Sequence, residues 1–368
     1  MRVLFVDDET QALAGLERTL FMAERGWELA FAASGADALR ALRTQPADVV
    51  VSDMRMPLLD GAELLRRMRD SCPRSVRILL SGQTDQDAAL RALDVAQQFL
   101  LKPCDGDALI GVIDRMAALR RLLDAPTLQA AVGRIGGLPA APRLHAQFES
   151  LLHDPQADAA QVAAVVQADP ALAAKVLQLA NFGLFGDGQP VAGIHDAVRR
   201  IGLGLLRTLA SASDAFQRDA AGAAEASGVV ALRASRLATV IGADHAAEDV
   251  VATAALLADI GALLPGIARL CREADPQGCG VPSVAEVGAY LLGIWGLPAA
   301  VVEAVAHHRH PQRAAQCRFE AVGVVHVAVA LAHGQAPDTA YLQSMGVAAQ
   351  VPQWQAACAR MRQDEHMP

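Results

Sequence analysis

Asp7, Asp8, Asp53, Ser81 and Lys102 are the side chains of this 368-residue chain whose types could do chemistry together. Each stands at the end of a short apolar run. Three carboxylates brought close repel one another, so a hard divalent cation is expected among them. Oxygen ligands with open water positions favour Mg²⁺. A carboxylate beside bound Mg²⁺ and a lysine ammonium is poised to accept a phosphoryl group. The cation and the ammonium offset charge on the equatorial oxygens during in-line transfer. Lys102 and Lys175 are the only lysines among 32 basic residues. Arginine serves poorly where a compact, rotatable point charge must sit close to a phosphate. Taken singly, each residue has a plainer use. Asp8 would cap a helix starting near Thr10, Asp53 would open a turn before Pro57, and Ser81-Gly82 would be an ordinary strand exit. It is their joint placement that points to a site.

The elements that must position them alternate. Apolar runs at 2–6, 28–32, 48–52, 76–80 and 98–101 read as strands. Amphipathic stretches at 10–23, 35–42, 61–69, 85–93 and 105–122 read as helices. Strict alternation of five strands and five helices predicts a doubly wound α/β domain with a parallel sheet. In such sheets ligands gather at the carboxyl ends of the strands, where all five residues fall.

Val6-Asp7-Asp8-Glu9, Ser52-Asp53-Met54-Arg55-Met56-Pro57 with Asp60-Gly61, Leu80-Ser81-Gly82 and Phe99-Leu-Leu-Lys102-Pro103 together resemble the receiver domain of two-component response regulators over residues 1–122. The resemblance implies a flavodoxin-like sheet of order 2-1-3-4-5 and Asp53 as phosphoacceptor. It implies Mg²⁺ held by Asp8, Asp53 and the main-chain carbonyl of Arg55, with Asp7 acting through water. Lys102 would contact the phosphoryl oxygens. Ser81 would hydrogen-bond the phosphoryl group and draw Phe99 inward. The implied partner is a sensor histidine kinase. The implied switch surface is the fourth helix, fifth strand and fifth helix.

From about residue 130 strand signals vanish and Ala/Leu/Val segments with helical spacing take over, which predicts an all-α domain. The joint lies in the last receiver helix, where Leu109, Val112, Ile113, Met116, Leu119 and Leu123 form one stripe. Beyond Met116 this stripe fits a long helix docking on the next domain and a homodimer seam equally well. Receiver 1–122, helical linker 123–132 and all-α domain 133–368 are the expected divisions, with 335–368 open to reading as a tail.

In the helical half, Asp169-Pro170 reads as an N-cap with proline at the first helical position, and Asn181-Phe182-Gly183 as a helix exit. Lys175 between them reads as an ordinary helix-face residue. Ala254-Ala-Leu-Leu-Ala258-Asp259-Ile-Gly261, Ala285-Glu286-Val-Gly288, Trp295-Gly-Leu-Pro298 and His307-His308-Arg-His310-Pro311 follow. These stretches resemble the HDOD domain, an HD-like relative of the HD and HD-GYP phosphohydrolases, from about residue 130 to beyond Leu331. Active relatives carry a His-Asp pair where this chain has Ala258-Asp259, and further histidines where it has Arg233-Ala234-Ser235 and Val284. Asp259, His307 and His308 remain as a degenerate remnant, too few ligands for a two-metal hydrolase centre. The expected output is therefore binding of a downstream protein or ligand rather than catalysis. The alternative is a cryptic metal-dependent phosphohydrolase acting on a cyclic dinucleotide or nucleotide.

Composition narrows the classes. A net charge of −8 without a long basic tract makes DNA a poor partner; the Arg199-Arg200 and Arg207 cluster reads as a solvated helix face. The six cysteines, Cys72, Cys104, Cys271, Cys279, Cys317 and Cys358, form no CxxC pair and read as reduced thiols. The N-terminal apolar stretch is too short for a signal peptide. Residues 250–270, interrupted by Asp259 and Pro265, read as a buried helix rather than a membrane span. Cytoplasm is the expected compartment.

Overall fold

The computed structural model describes residues 1–82, 92–183, 189–212, 217–218, 223–275, 282–314 and 318–365. In the N-terminal third, β1 (Arg2–Val6), β2 (Glu28–Ala32), β3 (Val49–Asp53), β4 (Val76–Ser81) and β5 (Gln98–Leu101) form one parallel sheet of order β2-β1-β3-β4-β5. Val49, Val50 and Val51 are each buried, which is why β3 reads as a continuous apolar run rather than an alternating one. Helices α1 (Thr10–Met22), α2 (Gly35–Thr44), α3 (Gly61–Ser71) and α4 (Gly106–Leu122) follow β1, β2, β3 and β5. The helix expected at 85–93 falls almost wholly outside the described residues. Short polar side chains start several helices by accepting backbone N–H bonds: Ser34 from Asp37, Asp60 from Glu63 and Asp105 from Asp107.

The remainder is helical: α5 (Pro126–Gly133), α6 (Pro142–His153), α7 (Ala159–Gln167), α8 (Pro170–Ala180), α9 (Ile194–Ile201), α10 (Leu203–Ala212), α11 (Ala223–Gly242), α12 (Glu248–Leu256), α13 (Ile267–Ala274), α14 (Val284–Ile294), α15 (Ala299–His307), α16 (Ala321–Ala332), α17 (Thr339–Ser344) and α18 (Val351–Asp364). Strand structure does not vanish: Pro139–Ala140 (β6) pairs in parallel with Gln217–Arg218 (β7). The apolar stretch 250–270 is not one buried helix. It is α12, a 3₁₀ turn at Ile260–Leu263 and then α13, with the first two bent 83° from α13 across left-handed Gly266. Among the described residues no single helix is long and apolar enough to cross a membrane.

The two halves meet along β4, β5 and α4. Arg77 of β4, fully buried, donates from Nε to Val95 O (2.7 Å) and from Nη2 to Gly133 O at the end of α5 (2.7 Å); burial pulls its guanidinium down to about 10. Lys175 is not an ordinary helix-face residue. It is 1% exposed, and its Nζ donates to Leu93 O (3.2 Å), Gly136 O (2.9 Å) and Gln178 Oε1 (2.9 Å), 5.4 Å from the Trp295 ring centroid. Burial pulls it down to about 7, against the attraction of Asp94. Three acceptors and an aromatic face are what a buried ammonium requires. At the far end of α4, Leu119 lies against Gly293 of α14, where a Cβ would come 2.3 Å from a leucine methyl. Leu119 and Leu123 of the α4 stripe are buried within the chain, as a docked helix requires. The described part of the expected helix 4–strand 5–helix 5 surface likewise carries contacts within the chain.

Candidate functional site

The five residues singled out above converge at the carboxyl ends of β1, β3, β4 and β5. Carboxylate oxygens of Asp7, Asp8 and Asp53 all lie within 4.8 Å of one another, the group that could hold a metal ion among the described residues. Asp7 and Asp53 are buried and Asp8 is exposed. Asp8 does not cap α1: that position belongs to Glu9, whose side chain makes no capping bond. Asp7 Oδ1 accepts from the Glu9 amide at 2.9 Å, and Asp53 Oδ2 from the Arg55 amide at 2.9 Å. The Lys102 ammonium bridges the remaining oxygens, reaching Asp7 Oδ2 at 2.8 Å and pairing closely with Asp53 Oδ1.

The charges leave their mark on proton affinity. Burial pushes the Asp53 carboxyl up, partly opposed by its Lys102 hydrogen bond. For Lys102, burial pulls down, but the hydrogen bonds to Asp53 and Asp7 outweigh it and the ammonium is held above its ordinary value. One ammonium against three carboxylates leaves an excess of negative charge, and the donors are all hard oxygens. That set fits a small divalent cation.

Local structure fixes the arrangement. The Met54 amide donates to Leu80 O (2.9 Å) and the Gly61 amide to Met54 O (3.0 Å), folding the chain after β3 back toward α3. The Lys102 amide donates to Ser81 O (2.8 Å), locking the end of β5 to the end of β4. Ser81 is fully buried, with its hydroxyl 3.4 Å from Gly82 O. Phe99, expected as the switch aromatic, is 1% exposed, and its ring stands 4.6 Å from that of Phe182 in the helical half.

The second group of candidates, Asp259, His307 and His308, is not brought together in one cluster. Asp259 follows α12, and its two oxygens accept from Arg309 Nη2 (2.6 Å) and His333 Nε2 (2.8 Å). Burial acts to raise its carboxyl, but the His333 and Arg309 hydrogen bonds prevail and hold it well below the usual carboxylate range. His308 is buried, with Nδ1 at 2.8 Å from Val305 O and Nε2 meeting no protein partner. Its pKa is pushed down to about 4, chiefly by burial. His307 turns elsewhere, lining a groove of about 260 Å³ between α4 and α14–α15. The Asp259 turn is held close to α14 through facing glycines: a Cβ on Gly261 would sit 2.2 Å from Val284 O, and one on Gly288 would sit 2.9 Å from the Gly261 nitrogen.

Arg309, His326 and His333 were not picked out by sequence reasoning. His326 Nδ1 lies 2.7 Å from His308 O, and its Nε2 accepts from the Asp338 amide (2.8 Å). His326 and His333 are seven residues apart on and just beyond α16, which places them on one helix face, and that spacing was the available signal. With His308, Arg309, His310 and Asp338 they line a recess of about 530 Å³.

Comparison with known proteins finds two family models on the chain. The response regulator receiver domain model matches residues 3–114 and the HDOD domain model matches residues 138–274. The HDOD match is shorter than the sequence reading expected, and His307, His308, Arg309 and His333 lie beyond it. The chain is similar to the hydrogenase transcriptional regulatory protein HoxA of Cupriavidus necator, 38% identical over 135 residues, or 36% of this chain and 26% of that protein. It is similar to the transcriptional regulatory protein PrrA of Mycobacterium tuberculosis, 39% identical over 123 residues, or 33% of this chain and 50% of that protein. The chain thus spans about a quarter to a half of the length of these relatives. Among solved structures it is similar to the signal receiver domain of an HD domain-containing protein from Pseudomonas fluorescens Pf-5 (28% identity, 33% of this chain, 96% of that chain, TM-score 0.31). It is also similar to the MmoQ response regulator of Methylococcus capsulatus (21% identity, 61% of this chain, 97% of that chain, TM-score 0.44). With one family model on the sheet that carries the acidic rim and the other on the helices behind it, the chain belongs to the two-component response regulators, as a receiver domain followed by an HDOD domain.

Proposed function

We propose that Asp53 accepts a phosphoryl group from a sensor histidine kinase and that this switches an HDOD domain acting by protein or ligand binding. The observation that supports it most is the single ammonium of Lys102 set between Asp7 and Asp53, with Asp8 alongside. In this reading Asp8, Asp53 and the Arg55 carbonyl would hold Mg²⁺, and Asp7 would act through water. The bound cation supplies positive charge to the phosphoryl oxygens. An Asp53 carboxylate oxygen attacks phosphorus in line. The bond from phosphorus to the kinase imidazole nitrogen breaks as the P–O bond forms, and the nitrogen keeps the electron pair. Lys102 swings from the Asp53 carboxylate onto the phosphoryl oxygens, and the Ser81 hydroxyl donates to one of them. The product adds one to two negative charges at a single point, enough to bias packing nearby.

For the helical part we take residues 133–368 as one binding domain behind a linker at 123–132, with the receiver at 1–122, all in the cytoplasm. Binding is favoured over hydrolysis because both Asp259 oxygens are already engaged within the chain, by the Arg309 guanidinium and the His333 imidazole. The recess beside them, lined by histidines and Arg309, is the surface we assign to a ligand. Asp53→Asn is expected to abolish labelling by acetyl phosphate or by the cognate kinase. Labelling that persists at another residue would sink the assignment.

A further inference from the structure

β5 carries Lys102 at its end, and the helical domain grips β5 residue by residue. Gln178 Nε2 of α8 donates to Gln97 O (3.4 Å) just before the strand, and Gln98 Nε2 donates to Ile294 O at the end of α14 (3.1 Å). The Phe99 ring lies on Phe182, ring centroids 4.6 Å apart and planes 50° apart. Gly183 presses on the strand backbone, so that a Cβ there would stand 3.1 Å from Phe99 O and 3.4 Å from the Leu100 Cα. Two residues beyond Leu100, the Lys102 amide is tied to Ser81 O and its ammonium to Asp7 and Asp53. β5 is the edge strand of the sheet. One side of it is paired to β4. Segment 178–183 of another domain meets its chain at Gln97, Phe99 and Leu100.

We infer that Phe182 and Gly183 of the helical domain are positioning residues for the phosphoryl chemistry at Asp53, acting through β5 on Phe99 and Lys102. The inference rests on the reading of Asp53 as phosphoacceptor and goes beyond it. Phosphoryl at Asp53 calls on Lys102 and Ser81, the two residues joined where β5 meets β4. Any shift of β5 that accommodates the phosphoryl group must move Phe99 against Phe182 or carry the helical domain with it. Coupling of this kind is reciprocal: whatever phosphorylation costs the docked interface, the docked interface costs phosphorylation. The helical domain thereby sets how readily Asp53 is occupied, in addition to responding once it is.

The test uses the full chain and beryllofluoride with Mg²⁺ as the phosphoryl mimic, read by a change in intrinsic Trp fluorescence or by calorimetry. Phe182→Ala is expected to tighten beryllofluoride binding roughly threefold to tenfold. It should also raise the labelling rate at saturating acetyl phosphate while leaving the half-saturating concentration unchanged. Phe182→Leu, which keeps an apolar contact, is expected to return both values toward wild type. Gly183→Ala adds a methyl against the β5 backbone without removing the aromatic pair, and is expected to change both in the same direction as Phe182→Ala. Far-ultraviolet dichroism checks that each variant is folded, and the glycine variant carries the test if Phe182→Ala is not. Beryllofluoride affinity and labelling equal to or weaker than wild type in the folded variants overturn the inference while leaving Asp53 in place. A wild-type chain that takes up neither beryllofluoride nor phosphate overturns both.

Discussion

At the ends of β1, β3 and β5, Asp7 and Asp53 share one ammonium, Lys102, with the Asp8 carboxylate alongside; beyond α12, Asp259 alone has both a guanidinium and an imidazole. Among the described residues the first corner sets three carboxylates against the one Lys102 ammonium, and it is partly open, with Asp8 exposed. The second satisfies each oxygen of its carboxylate from within the chain. A carboxylate cluster in excess needs a cation from outside, whereas a carboxylate already paired gains little from one. The receiver rim is therefore built to recruit charge, and the HDOD corner to hold a shape.

The largest expected effect lies in divalent cations. Removing Mg²⁺ with a chelator should lower acetyl phosphate labelling of Asp53 by at least about a hundredfold, since the cation provides several kcal/mol of charge stabilisation in transfer. The same treatment should leave the unfolding midpoint of the helical domain where it was. The contrast breaks if labelling survives chelation. It also breaks if a transition metal co-purifies in stoichiometric amount and its removal unfolds the helices.

Acid should act on the second corner. His308 faces Asp259, Arg309 and His326, and burial holds its pKa at about 4 against an ordinary 6.5. The unfolded chain therefore binds the proton first as pH falls, so stability is full above about 6.5 and drains away toward 4. The loss comes to about 3 kcal/mol at ~1.4 kcal/mol per pH unit. His326, also pushed down by burial, drains in the same direction. Denaturant unfolding at stepped pH measures it. His308→Asn should flatten the slope in that window, and an unchanged slope would remove His308 from the account.

These two corners were not equally legible. The receiver rim could be read because its residues lie at the ends of apolar runs: parallel strands buried on both faces announce themselves, and ligands collect where they stop. The strand boundaries shifted by at most one residue, as β3 did in ending at Asp53. The HDOD corner depends on contacts such as Asp259 with His333, 74 residues apart, and no local period encodes them. The α4 stripe shows the same limit, since one spacing serves a docked helix and a dimer seam alike. Lys175 was legible in principle. Every other residue of α8 save Gln178 is apolar, and a helix apolar on all sides is a buried helix. A lysine inside it had to find acceptors, and Gln178 at i+3 was one of them.

The smallest expected effects carry the sharpest test of the contrast, because they differ in sign. Asp8→Asn removes one of three mutually repelling carboxylates. In chelator it should raise stability by roughly 0.5 kcal/mol, a modest figure because Asp8 is exposed and screened. Arg309→Ala withdraws a donor from Asp259 and leaves the His333 imidazole as its remaining side-chain partner. Arg309 is half exposed, so water replaces part of the loss, and the cost should be about 1 kcal/mol rather than the several expected of a buried pair. Adding Mg²⁺ should erase the gain from Asp8→Asn, because the wild-type rim then binds the cation more tightly than the variant does. It should leave the loss from Arg309→Ala unchanged. Paired denaturant titrations with and without Mg²⁺ read all four values. If removing charge destabilises both corners alike in chelator, the rim is not in electrostatic excess, and the case for a recruited cation there loses its physical basis.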